Sequence, residues 1–505
     1  MNKISEYLRL TREETVVFLI GVLGSFIARG ITFFSLGYAI DDYANTLLAP
    51  TMNMVLFQGR WGAGLLFEIF NYIGIQCSLS TTLLMSISVI GFTLIGIMIC
   101  RMWKINSNII LSSLVVLFIT LFPYQAEIYT FKITLTFFIF ALFIGFVAVY
   151  FSRLKFKTSL LTALIFAFAV SMYQLVINYV FVAIVLSLAI ELLRSLKREF
   201  NEKFWTDLLK RTNFLPQLLT ISLGTLLYLI VNKIILLIFQ IAMTSRGQFI
   251  NIHEIPSRFS QIRKTLFVLL AKNEPIMPII PKMLLLLILV FVLFGIIKIS
   301  ILNAKKIRNS YAASATLLLL LAISLLGVIG VSIPLESWWP VPRVFASLGI
   351  FWAGVLVLLF VLFDGKIKKI FIGISAILVL SFIGINNHIY VDQLRINMID
   401  IQKANRIILR LEMLPDFSRI KSVAIIGKKW GYGDHVKTIE GDMNISAFGA
   451  DWAKLSIINE VGGYDFLAAS DDEVKSAENF CVNALKTQDS DIVTGILGSL
   501  GVVCI

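Results

Sequence analysis

Met283 to Ile297 reads MLLLLILVFVLFGII, without one polar or charged side chain. A helix rises about 1.5 Å per residue, so roughly 20 such residues cross a hydrocarbon layer about 30 Å thick. This run sits in a span placed near 282–301, and comparable runs fall near 15–36, 80–100, 107–123, 133–151, 158–172, 175–193, 214–242, 311–333, 345–363 and 370–387. The runs are continuous, which excludes a membrane β-barrel, whose strands alternate in roughly ten-residue segments. Only helices satisfy their backbone groups internally in lipid. Composition agrees: 58% of residues are hydrophobic, 15% are charged and the mean hydropathy is +0.87, whereas soluble domains carry roughly 25% charged residues.

The net charge of +13 is topological information rather than a nucleic-acid signal, because Lys and Arg gather in short clusters between apolar runs. These are Lys3, Arg9 and Arg12; Arg101 and Lys104; Arg153, Lys155 and Lys157; Arg194 to Arg211; Lys305, Lys306 and Arg308; and Lys366, Lys368 and Lys369. Dividing the run over 158–193 at Ser171-Met172-Tyr173-Gln174 puts every cluster on one side, the cytoplasmic side by the positive-inside rule. The N-terminus is then cytoplasmic. No small-residue cleavage pattern follows the first run, so it reads as a retained helix. The opposite side receives Asp41 to Trp61, Pro123 to Phe131, Thr244 to Pro281, Pro334 to Arg343 and everything after about Asn387. Arg60 to Ile75 and Ile255 to Leu270 have amphipathic, interfacial patterns.

Residues 391–505 carry 16 of the 31 acidic side chains, which marks a soluble domain. Val391 to Leu411 repeats apolar residues at helical spacing, Ser422 to Ile426 and Val493 to Ile505 read as short strands, and Asp471-Asp472-Glu473 opens a helix to about Leu485. The expected fold class is an all-α polytopic membrane protein, with about eleven transmembrane helices over residues 1–390 and a small α/β domain over residues 391–505. The absence of a Cys-x-x-Cys pair argues against a metal cluster. Cys481 and Cys504 share the expected oxidising side, where a disulfide is one reading. Gly427-Lys428-Lys429-Trp430-Gly431 reads as a plain turn.

Polar residues at the outer side carry the chemistry. Arg29 lies inside the first span, where a cation either snorkels to the interface or faces a partner such as Asp41, Asp42 or a phosphate. Asp41-Asp42-Tyr43 follows; adjacent carboxylates repel, which suits one of them to proton abstraction or both to a bound cation. Gln58-Gly59-Arg60-Trp61 shares that loop. Tyr124, Gln125 and Glu127 form a short outer loop able to bind sugar hydroxyls, and Tyr173 and Gln174 mark the turn between the fifth and sixth spans. Arg246 and Arg343 add guanidinium groups matched to phosphate, with Lys264 and Lys272 as weaker candidates.

A first span followed by Asp41-Asp42-Tyr43, then Gln58-Gly59-Arg60-Trp61 and a Ser171-Met172-Tyr173-Gln174 turn, resembles the Gtr-type O-antigen glucosyltransferases, the serotype-converting enzymes of temperate phages. The resemblance covers roughly residues 1–390. It implies a GT-C-like enzyme that moves glucose from undecaprenyl phosphate glucose to lipopolysaccharide O-antigen on the periplasmic face of the bacterial inner membrane. Such enzymes place an essential carboxylate in the first outer loop, a role that falls on Asp41 or Asp42. Arg29, Arg60, Arg246 and Arg343 are then candidate ligands of the donor phosphate. Tyr124, Gln125, Glu127, Tyr173 and Gln174 are candidate sugar contacts. Single displacement implies inversion. No ligand cluster gives a metal a specific place, although the paired carboxylates leave a divalent ion open. A transporter or flippase of a lipid-linked saccharide is the alternative, and it calls for charges along a path through the bilayer. An O-antigen polymerase is a third reading, disfavoured by the outer C-terminal domain.

Overall fold

The computed structural model describes residues 9–35, 37–45, 50–152, 159–197, 204–242, 244, 247–303, 310–427, 435–487 and 491–505. Among these, eight helices are long and apolar enough to cross a membrane: Thr81–Met102, Lys132–Phe151, Val176–Leu196, Phe214–Ile238, Ile279–Leu302, Ser310–Ser332, Pro342–Leu362 and Gly365–Glu412. Ile109–Leu121 and Pro123–Thr130 meet at 44° and count as a ninth if taken as one broken span. Pro123 causes the break, since it disfavours helical backbone at the preceding Phe122, whose ψ is 129°. The other two expected spans are also helical. Arg12–Arg29 carries four charged residues in 18, and Ser159–Met172 has 14 residues, so neither has the length and composition of a full span. The expected eleven is thus eight or nine by those criteria.

Val176–Leu196 and Pro342–Leu362 are the axis of the bundle, with 89% of the apolar stretch of each buried. Phe214–Ile238 and Ile279–Leu302 are peripheral, at 22% and 33%. Their outward faces expose Leu226, Ile230, Ile234, Val290, Phe294 and Ile297. Such a surface suits lipid and not water. Trp61–Tyr72 and Ile255–Ala271 form where amphipathic segments were expected.

Gly365–Glu412 is one uninterrupted helix of 48 residues, about 72 Å long at 1.5 Å per residue. It runs through the expected domain boundary at residue 390 without a break. Polar side chains on its distal half are buried and bonded. Asp392 accepts from the backbone N–H groups of Lys437 and Thr438, and Asp400 accepts from Ser446 Oγ and Ala447 N–H. Asn397 exchanges hydrogen bonds with both backbone groups of Tyr38. The distal half therefore holds the chain segment after the first span and the 437–447 loop against one rod.

The C-terminal sheet has the order β2-β1-β4-β3, with β1 Ser422–Ile426, β2 Leu467–Ala468, β3 Val493–Leu497 and β4 Leu500–Cys504. β1 is parallel to β2 and β4, and β3 is antiparallel to β4. The run Val493 to Ile505 is two strands, because Gly498 adopts a φ of +68° and turns the chain. A helix over Asp451–Gly462 was not expected; the one over Asp471–Thr487 was. Cys481 of that helix is disulfide-bonded to Cys504 of β4. Tyr38, Ile40 and Tyr43 join Ile407, Phe448 and Ile457 in one core, so the segment after the first span packs as part of this domain.

Candidate functional site

The site begins at a turn that needs glycine. Gly59 has a φ of +71°, and a Cβ there would stand 2.7 Å from Tyr228 Oη. Tyr228 Oη donates to the Gly59 carbonyl at 3.1 Å. That geometry presents Arg60 at the start of the Trp61–Tyr72 helix. Gln174, in the break between Ser159–Met172 and Val176–Leu196, ties the arrangement together. Its Nε2 donates to the Gln58 carbonyl and to Tyr228 Oη, both at 3.0 Å, and its Oε1 accepts from Arg60 Nε at 3.3 Å. The Arg60 guanidinium lies 4.5 Å from the centre of the Tyr173 ring, within reach of a cation–π attraction.

A hollow of about 370 Å³ opens beside these groups, lined by Gln58, Arg60, Tyr173, Gln174, Tyr228 and Arg343. Part of its wall is the segment Ser337 to Arg343. Ser337, Trp339, Val341 and Arg343 line this hollow, while Trp338, Pro340 and Pro342 line a second one. One short stretch of chain, turned by the Val341 N–H bond to the Trp339 carbonyl at 2.9 Å, thus contributes side chains to both hollows.

Arg343 is held by two carboxylates. Its Nη1 donates to Glu127 Oε1 at 2.5 Å and its backbone N–H to Glu127 Oε2 at 2.6 Å. Its Nη2 donates to Asp442 Oδ2 at 2.6 Å. Glu127 is fully buried. A buried carboxylate is tolerated only when paired and hydrogen-bonded, which Arg343 accomplishes here.

The candidate residues separate into distinct places. Arg60, Tyr173, Gln174 and Arg343 come together around the first hollow, and Glu127 lies behind Arg343. Tyr124 lines the second hollow. Gln125 is buried, accepting from Tyr179 Oη and donating to the Ile119 carbonyl. Arg29 neither snorkels nor bonds to Asp41 or Asp42. Its Nε donates to Tyr390 Oη at 3.2 Å, its Nη2 to the Thr120 carbonyl at 2.5 Å, and its guanidinium covers the Tyr129 ring at 4.1 Å. Arg246 lies outside the described residues.

Asp41 and Asp42 line neither hollow. Asp42 is buried and accepts backbone N–H groups of Ala39 at 2.9 Å and of Lys132 and Ile133 at 3.1 Å each. It therefore caps the Lys132–Phe151 helix from a distant loop. Burial raises its pKa to about 6 against those stabilising hydrogen bonds. Asp41 is exposed, and its Oδ1 accepts from Trp452 Nε1 of the C-terminal domain at 3.1 Å. Among the described residues no group of three or more His, Cys, Asp or Glu side chains converges as a metal ligand set.

Sequence reasoning missed Tyr228, Trp339, Glu274, Glu440 and Asp442. Tyr228 had a signal, because Tyr228, Asn232 and Lys233 are the polar residues that interrupt the apolar stretch from Leu226 to Ile238.

The family model described as glucosyl transferase GtrII matches residues 30–359. The chain belongs to that family. The match takes in Arg60, Tyr173, Gln174, Tyr228 and Arg343 and ends before the Gly365–Glu412 helix. No curated protein and no solved structure matches the chain. In this GtrII member the hollow gathers two guanidinium groups, Arg60 and Arg343, with the Gln174 amide and the phenols of Tyr173 and Tyr228. Asp442, which completes the Arg343 cluster, comes from outside the matched region.

Proposed function

We propose that the protein is an integral membrane enzyme that takes glucose from undecaprenyl phosphate glucose and adds it, with inversion, to lipopolysaccharide O-antigen at the periplasmic face of the bacterial inner membrane. The observation that carries this reading is the convergence of Arg60 and Arg343 on one hollow beside Phe214–Ile238, a helix with an apolar outward face. A donor phosphate attached to a prenyl chain must meet its cations next to lipid. In the transfer, the bond from glucose C1 to the phosphate oxygen breaks, and its electron pair stays on the phosphate. The acceptor hydroxyl oxygen bonds to C1 from the opposite side as its proton passes to a carboxylate. Guanidinium groups stabilise the charge that develops on the leaving phosphate. Tyr173 and Gln174 orient the glucose.

For the proton we assign Asp41, the exposed member of the acidic pair, because Asp42 is committed to capping a helix; Asp41 lines neither hollow, so the acceptor hydroxyl must reach it from outside them. Asp442, bonded to Arg343 of the first hollow, is the second carboxylate proposed for this step. In the proposed topology Arg12–Arg29 and the shorter Ser159–Met172 also cross, which brings the nine apolar spans, counting the broken one, to the eleven expected, with the N-terminus cytoplasmic. Support comes from the side-consistent basic clusters and from the Cys481–Cys504 disulfide, which suits an oxidising compartment. Proteoliposomes loaded with undecaprenyl phosphate carrying labelled glucose, given O-antigen lipopolysaccharide, provide the test. The expected result is label in a new glycosidic bond. Label that crosses the bilayer on its lipid, with no bond formed, overturns the reading in favour of a transporter.

A further inference from the structure

Across the Ser337 to Arg343 wall lies the second hollow, again of about 370 Å³. Its polar lining comes from Tyr124, Gln261, Lys264, Lys272, Glu274 and Glu440. We infer that this second hollow binds the hydroxyl-rich saccharide acceptor, an inference that rests on the glucosyl-transfer reading above.

The floor of the hollow is already neutralised. Glu274 is ion-paired with Lys282, and it accepts from Tyr124 Oη at 2.6 Å. Lys282 Nζ also donates to the Val268 and Lys272 carbonyls at 2.6 and 2.7 Å, so it is spent within the fold. The other polar groups are available to a ligand. Lys264 and Lys272 are exposed donors at the rim. Glu440 accepts no side-chain hydrogen bond among the described residues, and burial together with the nearby Glu274 charge raises its pKa. Gln261 Oε1 is buried without a partner. A buried acceptor with no donor costs the fold free energy, so its retention is explained if a ligand hydroxyl supplies the donor.

The mixture of donors and acceptors decides the class of ligand. A hydroxyl both donates and accepts, so it is satisfied between a lysine and a carboxylate. Glu440 and Gln261 Oε1 are acceptors, which a hydroxyl satisfies by donating and an ionised phosphate oxygen does not. The indole of Trp338 adds an apolar face for the carbons of a sugar ring. Arg258 fixes that indole, with its guanidinium 4.7 Å from the ring and its Nη2 bonded to the Leu335 and Glu336 carbonyls.

The Ser337 to Arg343 segment lines both hollows, so an acceptor held in one lies across a single stretch of chain from a donor held in the other. Three consecutive residues of the C-terminal domain grip that wall. Glu440 lines the second hollow. Gly441, at a φ of +60°, would place a Cβ 2.8 Å from Val341 Cγ1, and Asp442 bonds to Arg343 of the first hollow. The domain beyond the family match thereby gains a role in acceptor selection.

The test uses the full chain in lipid nanodiscs, with O-polysaccharide fragments freed of lipid as the probe. Binding is read by saturation-transfer NMR and turnover by labelled glucose. Glu440→Gln and Gln261→Met are each expected to raise the acceptor KM at least tenfold and to leave the donor KM and the thermal unfolding unchanged. Gln261→Met removes an unsatisfied group, so a loss of acceptor binding without a loss of stability marks a ligand contact. An acceptor KM within twofold of the parent in both variants overturns the assignment, as does displacement of the fragment by millimolar inorganic phosphate. Fragment binding that both variants abolish, in a protein that never turns over the donor, sustains the saccharide site and removes the glucosyl-transfer reading alone.

Discussion

Arg343 Nη2 donates to Asp442 Oδ2 at 2.6 Å, and this contact joins the wall of the first hollow to the C-terminal domain. The same guanidinium pairs with Glu127, so a single side chain links three distant parts of the chain. Removing it has two separable consequences, one for stability and one for chemistry.

Arg343→Met leaves Glu127 buried and unpaired, which is expected to cost about 3–5 kcal/mol. Adding Glu127→Gln in the same chain should restore most of that stability, as read by thermal unfolding in detergent. Transfer should stay down by ~100-fold or more in both variants, because the cation facing the leaving phosphate is gone. Recovery of activity along with stability would show that Arg343 acts on the fold alone.

Asp41 and Asp42 should behave differently. Asp42→Asn turns an amide N–H toward a backbone donor of the cap, so the protein should lose stability by about 1–2 kcal/mol. Asp41→Asn should unfold like the parent and lose transfer. The pH dependence has a definite sign. Asp42 has a folded pKa of about 6, above the ordinary 3.8, so its contribution to stability is full below the ordinary value and is lost as pH rises through 6. A difference in unfolding between parent and Asp42→Asn that varies between pH 4 and 6 checks this; a flat difference contradicts it.

Gly59→Ala places a methyl group against Tyr228 and forces a side-chain-bearing residue into left-handed backbone. We expect a cost of roughly 1–2 kcal/mol and a displaced Arg60, with turnover down ~10–100-fold as positioning is lost. Tyr228→Phe in the Gly59→Ala background relieves only the contact with the hydroxyl. Parent-like turnover in Gly59→Ala alone would show that the turn does not position Arg60.

The disulfide can be tested without activity. Cys481 and Cys504 are separated by 23 residues, and closing such a loop contributes ~3 kcal/mol in the chain-entropy model. Replacing both with Ala should make the C-terminal domain more sensitive to protease while the apolar helices stay intact. Free thiols at both positions in protein isolated without reductant would contradict the assignment.

Much of this architecture is legible along the chain because the bilayer imposes a length and a composition on each helix. The break at Pro123 follows from one imino acid, and the Arg60 and Ile255 amphipathic segments follow from their periodicity. The Asp451–Gly462 helix is not legible that way, since its apolar residues form no clear stripe. Val493 to Ile505 reads as one strand until Gly498 is seen to turn it. In the site, Arg60, Tyr173, Gln174 and Arg343 stand out as polar residues at the ends of apolar runs. Glu440 and Asp442 lie in an ordinary acidic loop and acquire meaning only through contact with Val341 and Arg343. Asp42 is conspicuous in sequence, yet the helix that it caps begins 90 residues further on.

A structure of the protein with a non-hydrolysable phosphonate analogue of undecaprenyl phosphate glucose tests the central claim most directly. The expected density places the phosphonate between the Arg60 and Arg343 guanidinium groups, with the glucose against Tyr173 and Gln174. A phosphonate bound away from both arginines, with the first hollow empty, would contradict the proposed donor site.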